Sequence, residues 1–398
     1  MKLKKILATT VAGLALFAFA GTAAADFPAD VNMWGASAQV IMWKNNGAAY
    51  MTGQGCTGIQ WGETYDTSTG LPDNKNVIFQ GTCGGATRYF RISSKASYDA
   101  IEALQGLIYF GETAPCSGSN YQRKLLDPSG CNWGTHTCTT TSCYPVTVGA
   151  TDTNHTCFKQ ISDGNVNGPA GGSRLVRNFI SHPLSWGGAE PCKPLIVPFA
   201  FFVSKNVKKG STTIDNITRD HAEIIFSNQV YDWSDLVDAD GNAFAANGIR
   251  KCLRHAGSGT HSSLDAYLVS KLIQAQDSDN QVWHNDSSST MMPCVNMNVA
   301  ASGYAAIGYA DADQDLSLYT NTVRVKLNGV PADGSNAELQ KAIKGGNYNF
   351  YGLQHLYNAP ASLCTFAGGG TISAPWVLES DMKYKRTDTC ESFPLELK

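Results

Sequence analysis

Past its first 25 residues this chain has no long apolar run, no block of basic residues, no C-x-x-C pair and no internal repeat. The first absence leaves no second membrane-spanning candidate. Without a basic run there is no electrostatic footprint for nucleic acid. Without C-x-x-C the usual zinc and thioredoxin-type spacings are missing, and without C-x-x-C-H so is covalent haem in its usual form. No carboxylate–histidine cluster or metal-ligand spacing offers an activated nucleophile or a paired-metal site, which argues against a hydrolase or phosphotransferase.

The first 25 residues differ from the rest. Lys2, Lys4 and Lys5 precede an apolar stretch from Ile6 to Phe19, and Ala23, Ala24 and Ala25 form a small-residue cleavage site. This is the pattern of a secretory signal peptide, with cleavage expected before Asp26. The stretch is short for a membrane anchor, and no cysteine near the cleavage site suggests a lipid-anchored form. The expected mature protein is therefore periplasmic or extracellular, without membrane insertion. Removing 25 of 398 residues leaves 373, enough for two domains, and moves the formal charge from −3 to −6. Such a protein still binds an anion where backbone dipoles and one arginine converge.

All twelve cysteines (56, 83, 116, 131, 138, 143, 157, 192, 252, 294, 364 and 390) lie in the mature part. An even count in an exported chain reads as disulfides. The local pairs expected are Cys252–Cys294 and Cys364–Cys390. The alternative is zinc held by His136 with Cys131, Cys138 and Cys143.

Residues from Gly35 to about Ile108 alternate apolar runs with helical spacing, predicting helices over Val40–Tyr50 and Tyr98–Ile108. Residues of about 111–170 hold five cysteines among Thr, Ser, Gly and Asn, and read as a disulfide-stapled surface insertion without its own core. Pro194–Val203 reads as a buried strand, and Thr218 as the cap of a helix carrying Ala222, Ile225 and Phe226. A strand over Ile249–Arg254 leads through a glycine-rich loop into a helix with Leu264, Tyr267, Leu268 and Leu272. Another strand is expected over Ala305–Tyr309 and a helix over Glu338–Lys344. Strands alternating with helices imply an α/β fold.

Three small-residue loops have the composition of an oxyanion cradle: Gly35 to Ala38, Gly81 to Gly85 and Gly257 to Thr260. Read as strand-to-helix loops, they aim free N–H groups and a helix dipole at one point, and Ser37, Thr82, Ser258 and Thr260 add hydroxyls. Plain helix capping uses the same residues. Arg254, three residues before Gly257, reaches an anion bidentately or sits in a structural ion pair. Asp152, in the run Val148 to Asp152, is either a turn residue or the acceptor for an anion that carries a proton. Protonated phosphate has that proton and fully ionised sulfate does not.

On these residues the chain resembles the phosphate-binding proteins of phosphate ABC importers, a family of type II periplasmic solute-binding proteins. Leu195–Val203 resembles the family's crossover strand, and Ile217–Leu236 its "L-T-x-x-x-x-x-I-F-S-G-x-I-x-x-W-x-D" segment. Arg254 with Gly257–Thr260 and Tyr267–Leu268 resembles the anion loop and helix. Ala306–Tyr309, Asn328–Val330 and Gly346–Phe350 resemble "A-I-G-Y", "N-G-V" and "G-x-Y-P". Asp30–Ser37 is similar to the opening of the DING branch, and Gly149–Asp152 to a "G-A-S-D" loop. Three places depart from the pattern: Ala256 stands where an aspartate often steadies the arginine, Ala38 where a phenylalanine is typical, and residues 111–147 are a cysteine-rich excess between the second and third loops.

The resemblance implies an α/β, two-lobed type II periplasmic binding protein fold, with mixed, mostly parallel sheets and a hinge of two crossing strands. Its lobes are expected at 26–196 with 309–398, and at 197–308, after a signal peptide over 1–25. It implies Ser37, Thr82, Asp152, Arg254, Ser258, Gly259 and Thr260 as the ligand set, inorganic phosphate or a similar oxyanion as the ligand, and an ABC permease as a partner. No catalytic residue, cofactor or metal is expected. The reading set beside it is a surface or assembly protein that keeps the scaffold, with its disulfide-rich insertion and a weakened or lost anion site.

Overall fold

The computed structural model describes residues 27–383 except 28, 66–71, 108–115, 159–164, 168–172, 176–185, 255–256, 270–281, 286, 298–302, 334–336 and 370–374. The expected signal peptide, Ala256, Leu272 and Cys390 lie outside the described residues. No helix among the described residues is long and apolar enough to cross a membrane.

The fold is mixed α/β. Its first part begins with β1 (Val31–Gly35), whose five residues are all buried, followed by a 3-10 turn (Ser37–Gln39) and α1 (Val40–Gly53). Next come β2 (Thr57–Tyr65), β3 (Pro72–Cys83), β4 (Ala86–Ser94) and α2 (Ser97–Gln105). The cysteine-rich segment supplies β5 (Gln122–Leu126), β6 (Cys131–Asn132), β7 (Thr137–Cys138) and β8 (Thr141–Pro145), and β9 (Val148–Thr151) closes the run. A hairpin, β10 (Asn165–Asn167) with β11 (Ser173–Leu175), follows. The first sheet has β1 at its centre, parallel to β4 on one side and to β9 on the other. Both parallel pairings deliver β1, β4 and β9 to the same end of the sheet, where each runs into a loop.

The insertion departs from the expected surface appendage. It has no core of its own, yet it extends the first sheet, because β7 pairs with β2 and β6 forms the outer edge. Its hairpin of β5 and β8 lays Leu125 against Trp34, Ala103 and Val146, and Leu126 against Ile78. Buried Arg91 on β4 holds it in place. The guanidinium lies between the rings of Tyr89 and Tyr144, 4.4 and 4.0 Å from their centres, and donates to the carbonyl of Leu126.

The second sheet is built on β12 (Leu195–Ser204), ten buried residues rich in Phe and Val. Then come β13 (Lys208–Lys209), β14 (Thr212–Thr213), β15 (Asn216–Ile217), α3 (Arg219–Phe226), β16 (Gly248–Arg254) and α4 (Gly259–Leu264), which continues as a π turn through Val269. After them lie β17 (Val282–Asn285), α5 (Ser288–Asn296), β18 (Tyr304–Asp311) and β19 (Thr322–Leu327). The final elements are α6 (Ala337–Lys344), β20 (Tyr351–Leu353), β21 (His355–Tyr357), α7 (Ala361–Gly369) and β22 (Val377–Leu378). Thr218 caps α3 as expected, accepting from the His221 amide.

Residues 351–357 join the sheets, running beside β12 and then β9. The second half of β12 pairs with β18 and β19, while its first half pairs with β20 and β22. Residues 351–357 lie along β12 as β20 and along β9 of the first sheet as β21. Because β19 is bonded to β12, the second sheet extends past residue 308, the limit expected for the second lobe. Phe201 and Phe350 stack at 4.7 Å, and Phe226 meets Tyr309 edge-on at 5.4 Å, so this junction is packed with rings.

Among the described residues no cysteine is free. The bridges are Cys56–Cys83, Cys116–Cys143, Cys131–Cys138, Cys192–Cys364 and Cys252–Cys294, and Cys157 is disulfide-bonded too. Cys252–Cys294 was the expected pair. Cys364–Cys390 is corrected: Cys192 bridges strand-fashion to Leu356, which brings it beside α7 and Cys364. Zinc is also corrected, since its three cysteines are oxidised and His136 stacks on Trp61 at 4.3 Å.

Chain entropy ranks these bridges. Cys192–Cys364 spans 172 residues and Cys131–Cys138 spans 7. Replacing the first pair by serines should cost about 5 kcal/mol, and replacing the second about 2.5 kcal/mol. Denaturant titration of the two double variants checks the order; equal losses would contradict it.

Candidate functional site

Four loops meet where the ends of β1, β4, β9 and β16 come together. The loop after β1 is bound to the loop after β9, as the Ala36 amide donates to the Ala150 carbonyl at 2.8 Å. Gly35 has φ 138°, and a Cβ there would lie 2.1 Å from the same carbonyl oxygen, so only glycine fits. The loop after β4 joins them through the Lys95 amide, which donates to the Gly35 carbonyl at 2.7 Å. Across from these three, the Gly257 carbonyl accepts from the Tyr98 amide at 3.1 Å. Gly259 comes closer still. A Cβ on it would fall 2.3 Å from Ser97 Oγ and 2.9 Å from the Asp152 Cβ.

Asp152 lies at the centre and is 2 % exposed. Its carboxyl accepts from Gln39 Nε2 at 3.2 Å and from Ser97 Oγ at 3.4 Å. Gln39 is itself held, donating to the Thr151 carbonyl at 2.7 Å and accepting from Gln354 at 2.8 Å. Burial pushes the Asp152 carboxyl up to about 7, and the charge of Asp311 adds to the rise. The Gln39 and Ser97 bonds and the charge of Arg254 oppose it.

Arg254, at the end of β16, is 1 % exposed. Its Nη1 donates to Ser288 Oγ at 2.9 Å, and Ser288 Oγ donates to Asp311 Oδ1 at 2.9 Å. Its amide donates to the hydroxyl of Tyr309, which also lies 2.5 Å from His261 Nδ1. Burial pushes the Tyr309 phenol far up, so it stays a neutral hydroxyl. Ser258 caps α4, accepting from the His261 amide at 3.3 Å, and Gly259 and Thr260 open the helix, buried. Chemically the arrangement offers N–H and O–H donors, one guanidinium and one carboxyl that titrates near neutrality.

The structure thus brings together the Ser37 loop, Asp152, Arg254, Ser258, Gly259 and Thr260. Thr82 is not among them. It is exposed near the tip of a hairpin, paired with Thr87, whose turn is Gly84–Gly85 with φ of 57° and 79°. That turn connects two strands, not a strand and a helix, as a two-residue Gly-Gly linker between apolar runs signals. Ser94, at the other end of β4, pairs with Gly35, which puts Thr87 about 23 Å from the site at 3.3 Å per residue. The place expected for Thr82 is filled by Ser97, in the run Ser93 to Ser97 that leads from β4 into α2. Gln39, Ser288, Tyr309 and Asp311 were also missed, since a long-range hydrogen bond leaves no local pattern. Among the described residues no group of three or more His, Cys, Asp or Glu is placed to hold a metal.

A carboxyl raised by folding makes stability fall as pH rises. Below about pH 4 it is protonated in both states; between about 4 and 7 the folded protein keeps a proton that the unfolded chain has lost. Asp152 should therefore contribute a decline of up to about 1.4 kcal/mol per pH unit over that window, complete above pH 7. Buried Asp313 is raised as well and acts in the same sense. The difference between the parent and Asp152→Asn, from thermal melts without anion at pH 4 to 8, isolates Asp152. Parallel curves would contradict the assignment.

No protein-family model matches the chain, and no curated protein matches it. Solved structures similar to it include a protein from Clostridium perfringens with bound phosphate, at 13% identity over 85% of this chain and 91% of that one, with a TM-score of 0.44. An ABC-type phosphate transport receptor from Vibrio cholerae is 12% identical over 85% and 91%, at a TM-score of 0.41. A phosphate binding protein from Stenotrophomonas maltophilia is 13% identical over 82% and 78%, at 0.36.

Proposed function

We propose that this is an exported solute-binding protein that holds a tetrahedral oxyanion, phosphate before others, between two lobes built on the two sheets, for uptake through an ABC permease or for sensing. The observation that carries this reading is the meeting of buried Asp152 with buried Arg254 among loops that end in amide and hydroxyl donors. The guanidinium and the donors attract the anion. The ionised carboxylate selects, accepting a hydrogen bond from the O–H of protonated phosphate and repelling an oxyanion that has none. In this reading the ligand set is the Ser37 loop, Ser97, Asp152, Arg254, Ser258, Gly259 and Thr260. The ligand leaves unchanged, so no turnover of a phosphate ester is expected.

Thermal denaturation of the mature protein against phosphate, arsenate, sulfate, tungstate and phosphonates tests the ligand class. Phosphate at one hundred times its dissociation constant should add about 2.7 kcal/mol of stability. No shift with any member would remove the anion reading and leave the surface-protein reading in front.

Two substitutions test the residues. Arg254→Ala deletes the guanidinium and should cost about 2–4 kcal/mol of phosphate affinity. Asp152→Asn should weaken phosphate moderately while narrowing its advantage over sulfate, because the repulsive charge is gone. Titration calorimetry with both anions reads the ratio. An unchanged ratio makes Asp152 a turn residue, and a parent that prefers sulfate refutes phosphate.

A further inference from the structure

Two buried amides stand in line behind Asp152. Gln39, in the turn after β1, is 1 % exposed, and Gln354, between β20 and β21, is 0 % exposed. Gln39 Nε2 spends both of its hydrogens, donating to the Thr151 carbonyl at 2.7 Å and to Asp152 Oδ1 at 3.2 Å. Its Oε1 accepts from Gln354 Nε2 at 2.8 Å, across 315 residues of chain. The backbone of Gln354 is fixed in turn, its amide donating to the Leu195 carbonyl of β12 at 2.9 Å. Yet Gln354 Oε1 is buried without a hydrogen-bond partner among the described residues. An apolar pair at 39 and 354 would fill the same space without that unpaired acceptor, so packing does not call for two amides.

We infer that Gln354 and Gln39 form a positioning pair that presents Asp152 Oδ1 with a fixed donor, so that this carboxyl meets a ligand as an acceptor. A primary amide has two faces. Turned over, Gln39 would set Oε1 against the Thr151 carbonyl and Nε2 against Gln354 Nε2, acceptor to acceptor and donor to donor. Thr151 and Gln354 therefore hold it in one orientation from opposite sides. The bond from Gln354 also polarises the amide and strengthens what Gln39 donates. A donor held against Oδ1 stabilises the ionised carboxyl and gives nothing to the protonated one. The pair thereby opposes burial, which drives the same group toward neutrality. This role deepens the function proposed above, in which ionised Asp152 accepts from protonated phosphate, and rests on it only where a ligand is concerned.

The test removes each amide with a side chain of similar length. Gln39→Met deletes the donor to Asp152, and Gln354→Met the donor behind it. The first readout needs no ligand: the titration midpoint of Asp152, from thermal melts across pH with and without Asp152→Asn in each background. The charges that act on Asp152 are those of Asp311 and Arg254. Lys95, Asp99, Glu102, His155, His261 and His355 are the other titratable groups on the elements around it. All are present in every variant, so their own titrations cancel in the difference. Gln39→Met should raise the midpoint by about one pH unit or more, as loss of a hydrogen bond to a charged group does. Gln354→Met should raise it less, and the double variant should match Gln39→Met, because Gln354 acts through Gln39. The second readout is calorimetric titration with inorganic phosphate and sulfate at about pH 7.5. There Gln39→Met should narrow the preference for phosphate about threefold, because more of Asp152 is protonated. An unmoved midpoint in Gln39→Met, or a Gln354→Met shift that adds to it in full, overturns the pair whatever the anions do. Should Gln39→Met lose its cooperative melt, Gln354→Met decides alone, and its unmoved midpoint overturns the pair. Raised midpoints in a protein that ignores both anions support the pair and overturn only the anion reading.

Discussion

Burial of the Asp152 carboxyl against the field of Arg254 is the constraint on which the rest of this site depends. A carboxylate removed from water without compensation neutralises itself, and one given a full ion pair is spent on that pair. Asp152 lies between these limits. Neutral donors from Gln39 and Ser97 hold its oxygens, the charge of Arg254 opposes its rise, and the group titrates close to pH 7. Each feature comes from a different stretch of chain. The parallel pairing of β1, β4 and β9 is therefore what brings these groups together. It delivers three loops to one end of one sheet, and the 351–357 segment adds Gln354 behind them.

The same requirement explains where glycine is indispensable. Gly35 and Gly259 stand on opposite sides of the meeting of loops, and each has a distant segment of the same chain where a Cβ would be. Gly352 is a third, with the Asp152 carbonyl oxygen 2.1 Å from the position of a Cβ. These are close approaches of backbone to backbone or to a small side chain. The glycines of the Gly84–Gly85 turn serve a different purpose, supplying the left-handed conformation of a tight hairpin. Composition does not separate the two uses.

That ambiguity marks how far the site was legible in the sequence. Elements with a local signal, such as the capped and amphipathic α3 and the continuous apolar run of β12, were readable because that signal lies within a few residues. So was the Arg254 to Thr260 loop, whose charge, glycines and hydroxyls are contiguous. The loop of Gly81 to Gly85 has the same small residues, and only the strand that follows it, not a helix, betrays the hairpin. Ser97 was overlooked because the Ser93–Ser97 run has no glycine to draw attention. The pairing of Cys364 with Cys192 depends on a bridge between residues 192 and 356, far apart in the chain, and no spacing announces it.

The insertion shows the same limit from the side of energetics. Its composition, rich in Thr, Ser, Gly and Cys, cannot bury enough apolar surface to order it alone, and that much was readable. What composition cannot say is where the missing burial comes from. Leu125 and Leu126 bury themselves in the first part of the fold, Arg91 reaches out from β4 to Leu126 and Tyr144, and β7 takes hydrogen bonds from β2. Cys116–Cys143 and Cys131–Cys138 both close within the segment and tie it to itself. Neither of these two bridges joins it to β1, β2, β3 or β4. A segment that looks peripheral in sequence is therefore packed on the same sheet that carries the site.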